Sequence, residues 1–238
     1  MALTKRSESP NIYLQVKHYC LWREVKVQEP ACEELEVMNP STGLKVKKWG
    51  YRFDTVTGHT TQLVKYDTGD KYETRFFGFK LHLIDGVDAY VIDMPYHSQI
   101  LRRFLRVARN INWNLPFSIT IFKGKGKEGK KAGAEETGIW FRQAGDTVKA
   151  YYSKENPHGM PAATLDQDEQ KWDFKAQHRW LIGRLQDETI PDIEEAAARF
   201  KPPVHPDLPS ELADSQEPPP NWDPAYDKDG ISDDDVPF

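Results

Sequence analysis

The chain has 238 residues, of which 38% are hydrophobic and 29% charged, and its net charge is −5. That composition is typical of a soluble protein with disordered parts, and the length allows one large domain or two small ones. No apolar run approaches the roughly 18 residues of a membrane span, and the polar residues 1–10 do not resemble a signal peptide. Since Cys20 and Cys32 are the only cysteines, we expect reduced thiols and a cytoplasmic location.

The net charge is divided unevenly along the chain. Residues 201–238 contain ten acidic residues and two lysines, a net charge of −8, and residues 161–200 have a net charge of −4. Residues 1–160 therefore have a net charge of +7. A basic body followed by an acidic tail is typical of a protein that binds a polyanion and contacts other proteins through its tail.

Alternating side chains predict strands through the first third of the chain. Residues 11–27 predict one long strand, and an acidic connector over residues 29–36 leads to a second strand over residues 44–55. Residues 57–59 predict a hairpin turn into a third strand over residues 60–66. The second strand carries the first group of candidate DNA-binding residues: Lys45, Lys47, Trp49 and Tyr51.

The clearest hairpin signal is Asp85-Gly86, which lies between alternating runs over residues 75–84 and 87–94. Asp-Gly favours a tight turn because glycine adopts a positive φ without steric cost. One face of the first strand is apolar and predicts a core. The other face includes Phe76 and Lys80, an aromatic and a basic residue of the kinds that stack on bases and bind phosphates, although an ordinary solvated face would look the same.

Ser98 predicts the start of a helix that runs to about residue 110. One side of this helix is apolar, and arginines including Arg102 and Arg106 recur on another side. A cationic stripe without acidic residues indicates contact with a polyanion, and its plainer alternative is a solubilising surface.

A strand over residues 116–122 precedes a loop rich in lysine and glycine. We expect this loop to be mobile and to close over a nucleic-acid backbone through Lys123, Lys125, Lys127, Lys130 and Lys131. The segment G-x-x-x-x-G-K-K over residues 124–131 nearly matches a nucleotide-binding P-loop, but Lys131 stands where Ser or Thr would hold Mg²⁺. A final hairpin over residues 138–142 and 147–152 adds four candidates: Trp140, Arg142, Lys149 and Tyr151.

The composition changes towards the end of the chain. Residues 161–200 predict a helical extension, whose two tryptophans on an apolar stripe favour docking on the β body or self-association as a homo-oligomer. Residues 201–238 are rich in proline and acid, which predicts a disordered tail. The domains expected are therefore residues 1–160, 161–200 and 201–238.

The last six residues are Asp233, Asp234, Asp235, Val236, Pro237 and Phe238. This segment resembles the acidic C-terminal tip of bacterial single-stranded DNA-binding proteins (SSBs), in which Asp-Asp-Asp-Ile-Pro-Phe is usual. The resemblance implies a tip that recruits replication and repair proteins. The order of strands with one inserted helix also resembles the OB-fold, a Greek-key barrel that binds oligonucleotides. The material before residue 74 departs from the compact SSB module and suggests a divergent, bacteriophage-type lineage.

The sequence thus predicts a mainly β, OB-like domain that binds single-stranded DNA without strong sequence preference. The expected binding mode is aromatic stacking with phosphate contacts, and no catalytic residue, metal or cofactor is predicted. Alternatives left open are a nuclease or NTPase that carries an SSB-like tail, and a module that binds RNA or duplex DNA.

Overall fold

The structure is a computed structural model, and it describes residues 11–17, 19–38, 43–67, 77–125, 135–166 and 171–201. The described part is mainly β, as predicted from the sequence. Its helices contain no segment that is both long and apolar enough to cross a membrane.

Ten of the described strands form one mixed sheet. In chain order they are β1 (Asn11–Lys17), β2 (Cys20–Val25), β3 (Glu33–Met38), β4 (Lys45–Phe53), β5 (Thr55–Asp67), β6 (Phe77–Asp85), β7 (Asp88–Pro95), β8 (Phe117–Lys125), β9 (Glu135–Gln143) and β10 (Asp146–Thr147). Their order in space is β10-β9-β8-β5-β6-β7-β1-β2-β4-β3. All pairings are antiparallel except that of β1 with β7.

The centre of the sheet is a Greek key. Strands β5, β6 and β7 form an antiparallel meander, and β8 returns beside β5 to give the order β8-β5-β6-β7. The connection from β7 to β8 contains helix α1 (Gln99–Val107), which a 3₁₀ turn extends over Ala108–Asn110. Strand β9 then pairs with β8.

The sheet curls around a single hydrophobic core. Leu21 of β2 and Ile121 of β8 lie in the same core although four strands separate β2 from β8 in the sheet order, and β2 contacts β8 directly. Phe104 of α1 is fully buried there and contacts the rings of Trp113 and Phe141. The helix therefore covers one end of the curled sheet.

The C-terminal helices pack on this body. A small sheet of β11 (Thr164–Asp166) and β12 (Lys171–Asp173) precedes α2 (Lys175–Arg184), a π-helical turn (Leu185–Thr189) and α3 (Ile190–Arg199). Leu181 and Ile193 belong to the main core, and Trp180 meets Tyr152 edge to face at 5.2 Å between ring centroids. Docking on the β body is thus the observed packing of Trp180.

Two local predictions are confirmed in detail. The Asp85-Gly86 signal forms the β6–β7 hairpin, in which Asp85 pairs with Asp88 and Gly86 has a φ of +60°. The Ser98 side chain accepts a hydrogen bond from the Leu101 backbone N–H at 3.3 Å and begins α1. The turn and the helix cap each depend on only a few adjacent residues, and both form in the structure as the sequence predicts.

Several predicted boundaries are wrong. The strand predicted over residues 11–27 is the antiparallel pair β1 and β2, and Tyr19 has a φ of +65° in the turn between them. The connector predicted over residues 29–36 includes the start of β3, whose acidic side chains pair with lysines of β4. The turn predicted over residues 57–59 lies inside the long strand β5.

The final hairpin is also shorter than predicted. Strand β10, which pairs with β9, consists of Asp146 and Thr147 alone. The Val148 backbone N–H then donates to the Phe141 carbonyl. The chain then leaves the sheet, because the Tyr151 and Tyr152 backbone N–H groups donate to the Arg106 carbonyl at the end of α1, at 2.7 and 3.2 Å. Tyr151 and Tyr152 are therefore bound to the helix and do not continue the strand.

A buried polar cluster lies between β1, β5, β6 and β7. Asp93 is 4% exposed and stands opposite Lys80 in the sheet, with the Tyr66 hydroxyl and Lys17 close to its carboxyl group. One carboxyl oxygen, Oδ1, has no hydrogen bond. Burial is the main reason why the pKa of Asp93 is raised to about 6, and the hydrogen bond from Tyr66 and the charges of Lys80 and Lys17 oppose that shift.

This cluster predicts a specific pH dependence of stability. Because the pKa of Asp93 is higher in the folded chain than its ordinary value of 3.8, its contribution is fully present below about pH 4 and is lost as the pH rises through 6. The loss amounts to about 3 kcal/mol. In Asp93→Asn, the free energy of unfolding should depend less on pH by about this amount, measured by urea denaturation from about pH 4 to about pH 8. Parallel curves for the variant and the wild type would contradict the assignment, and Asp85→Asn, in the exposed turn, is the control.

Candidate functional site

An aromatic and basic surface lies on one face of β8 and β9. Trp140 is 41% exposed, and the Phe122 ring approaches its ring to 4.3 Å between centroids with a tilt of 45°. The Arg142 guanidinium lies over the same indole at 4.5 Å from its centroid. We call Phe122, Trp140 and Arg142 the Trp140 platform. It combines an accessible π surface with a cation, the two groups that bind a single-stranded nucleic acid most readily.

Strand register explains why these side chains meet. Thr120 pairs with both Thr55 and Trp140, so the three share one face across β5, β8 and β9. The Thr55 and Thr120 hydroxyls are 3.0 Å apart. The next row of this face consists of Thr57, Ser118 and Arg142, and the Thr57 and Ser118 hydroxyls are hydrogen-bonded to each other. The platform is therefore continued across the sheet by side chains that donate and accept hydrogen bonds.

Gly138 gives Phe122 its position. The two residues are paired across β8 and β9, and a Cβ atom on Gly138 would lie 2.3 Å from the Phe122 ring. The ring occupies the space above the glycine, where any larger residue would collide with it. The absence of a side chain at Gly138 thus allows Phe122 to lie against Trp140.

The candidate lysines of β4 are engaged with β3. Lys45 Nζ lies 3.3 Å from Glu36, and Lys47 Nζ lies 2.7 Å from Glu34. The hydrogen bond and charge of Glu34 raise the pKa of Lys47. Both pairs are exposed and contribute little to stability, and each lysine already has a carboxylate partner.

The two aromatic candidates on β4 differ in their surroundings. Trp49 is half-buried and stands between Val25 of β2 and Glu34 of β3 in the register. The Tyr51 hydroxyl donates to Glu29 at 2.7 Å, and the Arg23 guanidinium lies 5.8 Å from the Tyr51 ring centroid. These residues lie on strands far from the Trp140 platform in the sheet order.

Three more candidates have individual partners. Lys80 Nζ lies 5.5 Å from the Tyr66 ring centroid, and burial lowers the pKa of Lys80. Lys123 is paired with Glu135 and lies 5.6 Å from the Tyr19 ring centroid. Lys125 is the last residue of β8.

Lys149 and Tyr151 do not join Trp140 and Arg142 in one strand pair as expected. The Lys149 carbonyl accepts a hydrogen bond from Asn110 at 3.0 Å. The Tyr151 ring stacks on His158 with centroids 4.1 Å apart and planes 15° apart. Both residues come after β10, where the chain has left the sheet and runs along the end of α1.

Arg102 and Arg106 border a second feature, a cleft between α1 and α2. Arg103, Lys175 and Arg179 also line it, together with Glu136 from the beginning of β9. The arginine spacing on α1 is visible in the sequence, but its convergence with α2 is not, because residues 108–174 separate the two helices along the chain.

Several candidates lie outside the described residues. They are Phe76, Lys127, Lys130, Lys131, Asp233, Asp234, Asp235, Val236, Pro237 and Phe238. The sequence-based choice of site also missed Phe122, which had been assigned only to a strand. The pairing of Phe122 with Gly138 is visible only in the structure, because the sequence analysis paired residues 138–142 with residues 147–152.

The described residues thus bring together one aromatic platform and one basic cleft. Among them, no group of three or more His, Cys, Asp or Glu side chains is arranged to hold a metal ion. Comparison of the chain with known protein families, with curated proteins and with solved structures finds no match in any of the three.

Proposed function

We propose that the protein binds single-stranded DNA without strong sequence preference, with the Trp140 platform as a base-stacking site. The observation that carries this proposal is the exposed indole with a guanidinium over it and a second ring beside it. Every base has a π face, so stacking tolerates any sequence, and it contributes about 1 to 3 kcal/mol per base.

Arg142 has a double role in this proposal. Its guanidinium covers the part of the indole that a base would occupy, and no carboxylate pairs with it among the described residues. An incoming base displaces the guanidinium from the ring, and the freed cation then contacts a phosphate. The row of hydroxyls across β5 and β8 offers further hydrogen bonds to the strand.

The fold supports an OB-like interpretation of the body. The order β8-β5-β6-β7 is that of strands 4-1-2-3 in a Greek key, α1 lies between the third and fourth strands, and β9 follows as the fifth. The contact of β2 with β8 further supports a barrel-like arrangement. In this interpretation, residues 126–134 correspond to the loop between the fourth and fifth strands, which contacts oligonucleotides in OB-folds.

The acidic tip adds a second activity to the proposal. Asp233, Asp234, Asp235, Val236, Pro237 and Phe238 recruit replication or repair proteins in the cytoplasm of a bacterial cell or of a phage-infected host, as their resemblance to the SSB tip implies. DNA is held by the body, so the two activities use separate parts of the chain.

The platform predicts a clear effect of Trp140→Ala. The dissociation constant for a dT oligonucleotide should rise about 5- to 150-fold, which is the loss of one stacked base. Trp140→Phe retains a ring and should lose much less. Fluorescence anisotropy with a labelled oligonucleotide measures both, and circular dichroism checks that each variant is folded. Equal affinities for Trp140→Ala and the wild type would contradict the proposed site.

Separate roles predict that deletion of Phe238 alone abolishes binding of a partner protein and leaves the affinity for dT unchanged. The two affinities are measured with the same preparation, by pull-down of host replication proteins and by anisotropy with dT. A deletion that weakens both to the same extent would contradict the separation of the two activities.

A further inference from the structure

The cleft between α1 and α2 is lined by an unusual concentration of cations. It has a volume of about 270 Å³, and five basic side chains surround it: Arg102, Arg103, Arg106, Lys175 and Arg179. Glu136 is the one acidic residue in its lining among the described residues. Among the described residues, the lining of the cleft therefore has a large excess of basic over acidic side chains.

Arginines outside the cleft form ion pairs with carboxylates. Arg109 is paired with Glu188 and Asp192, Arg184 with Glu188, and Arg199 with Glu195. By contrast, the described part of the chain holds no carboxylate within ion-pair distance of Arg103, Lys175 or Arg179. The pairs of Arg109 join the 3₁₀ turn after α1 to the π-helical turn and to α3, whereas Arg103, Lys175 and Arg179 face the cleft.

Arg106 indicates how strong this concentration is. The guanidinium is largely buried, and burial together with the charges of Arg103 and Arg102 lowers the pKa of Arg106. Guanidinium groups are well suited to phosphate, because their planar fork donates two parallel hydrogen bonds.

The cleft also has an aromatic wall. The Tyr96 ring lies 4.4 Å from the rings of both Phe77 and His178, between centroids. Tyr96 and His178 line the cleft, and α2 begins there at Lys175. The Asp173 carboxylate accepts a hydrogen bond from the Lys175 backbone N–H at 2.8 Å, so the N-terminus of α2 already has an anionic partner and the positive charge of the cleft comes from its side chains.

Strand β9 connects the cleft to the Trp140 platform. Glu136 in the cleft lining and Trp140 are four residues apart on this strand, so they share one face and lie about 13 Å apart. That separation is short compared with a site of about 4 to 16 nucleotides. One strand of DNA is long enough to reach both.

We infer that the cleft between α1 and α2 binds backbone phosphates of the same DNA strand that stacks on Trp140. The inference rests on the proposed function and extends it, because it assigns the direction in which the strand leaves the platform. The stacking site holds bases, and the cleft supplies the salt-dependent part of the affinity.

The test compares two double variants of the full chain that remove equal charge. Arg103→Gln with Arg179→Gln removes two exposed cations of the cleft, and Arg184→Gln with Arg199→Gln removes two cations that are paired with glutamates outside it. The affinity for a dT oligonucleotide of roughly 16 nucleotides is measured by anisotropy between about 50 and 200 mM salt. Thermal melting checks that both variants are folded.

The slope of log K against log salt should become shallower by about 1.4 in the cleft variant, since each lost phosphate contact on a single strand contributes about 0.7. The control variant should keep the wild-type slope. An unchanged slope in the cleft variant, with Trp140→Ala still weakening binding, would overturn this inference and leave the proposed function standing. Failure of the wild-type chain to bind dT would overturn the proposed function itself.

A last comparison separates DNA from an acidic peptide as the occupant of the cleft. The same cleft substitutions are made in a full chain in which Asp233, Asp234 and Asp235 are replaced by Asn. If the slope still changes by the same amount, the phosphates occupy the cleft as inferred. If the change disappears, the cleft binds the acidic tip, and the inference is wrong.

Discussion

The stagger of β5 between its two neighbours is the constraint on which the rest of the structure depends. Residues Thr55–Gly58 pair with β8 on one side, and His59–Asp67 pair with β6 on the other. A register shift between Thr60 and Gln62 marks a bulge where the pairing changes. Stagger and a bulge both increase the bend of a sheet. This bend brings the β8–β9 pair around the core, so that α1 covers its end and the Trp140 platform faces outwards.

The cations of this chain fall into two groups, and their number alone does not identify a binding site. Lys45, Lys47 and Arg109 are each paired with carboxylates, so the charges of these three cations are balanced locally. The cations of the α1–α2 cleft converge on one space with a single glutamate in its lining among the described residues. The arrangement of charge therefore says more about a polyanion site than the net charge does.

The sequence predicted the features that depend on neighbouring residues. Asp85-Gly86 and Ser98 were correct because a turn and a helix cap involve only a few adjacent groups. The turn at Tyr19 could not be predicted, because it needs a positive φ at a residue that rarely adopts one.

The site was less predictable than the fold elements. Trp140 and Arg142 lie on one face of β9, as their alternation in the sequence predicted, because that arrangement depends only on a local pattern. Tyr151 was grouped with them because the pattern continued, but its backbone is bound by the Arg106 carbonyl, a contact between distant parts of the chain. The convergence of α1 and α2 likewise depends on the tertiary fold, which a single-sequence pattern does not contain.

The most direct test of the account is a competition titration of the unmodified chain. A labelled dT oligonucleotide is displaced by unlabelled dT, by duplex DNA and by RNA of equal length, and tryptophan fluorescence is followed at the same time. The account predicts that dT quenches the fluorescence and competes far better than duplex DNA, because paired bases cannot stack on Trp140. Duplex DNA that competes as well as dT, or binding of dT without any change in fluorescence, would contradict it.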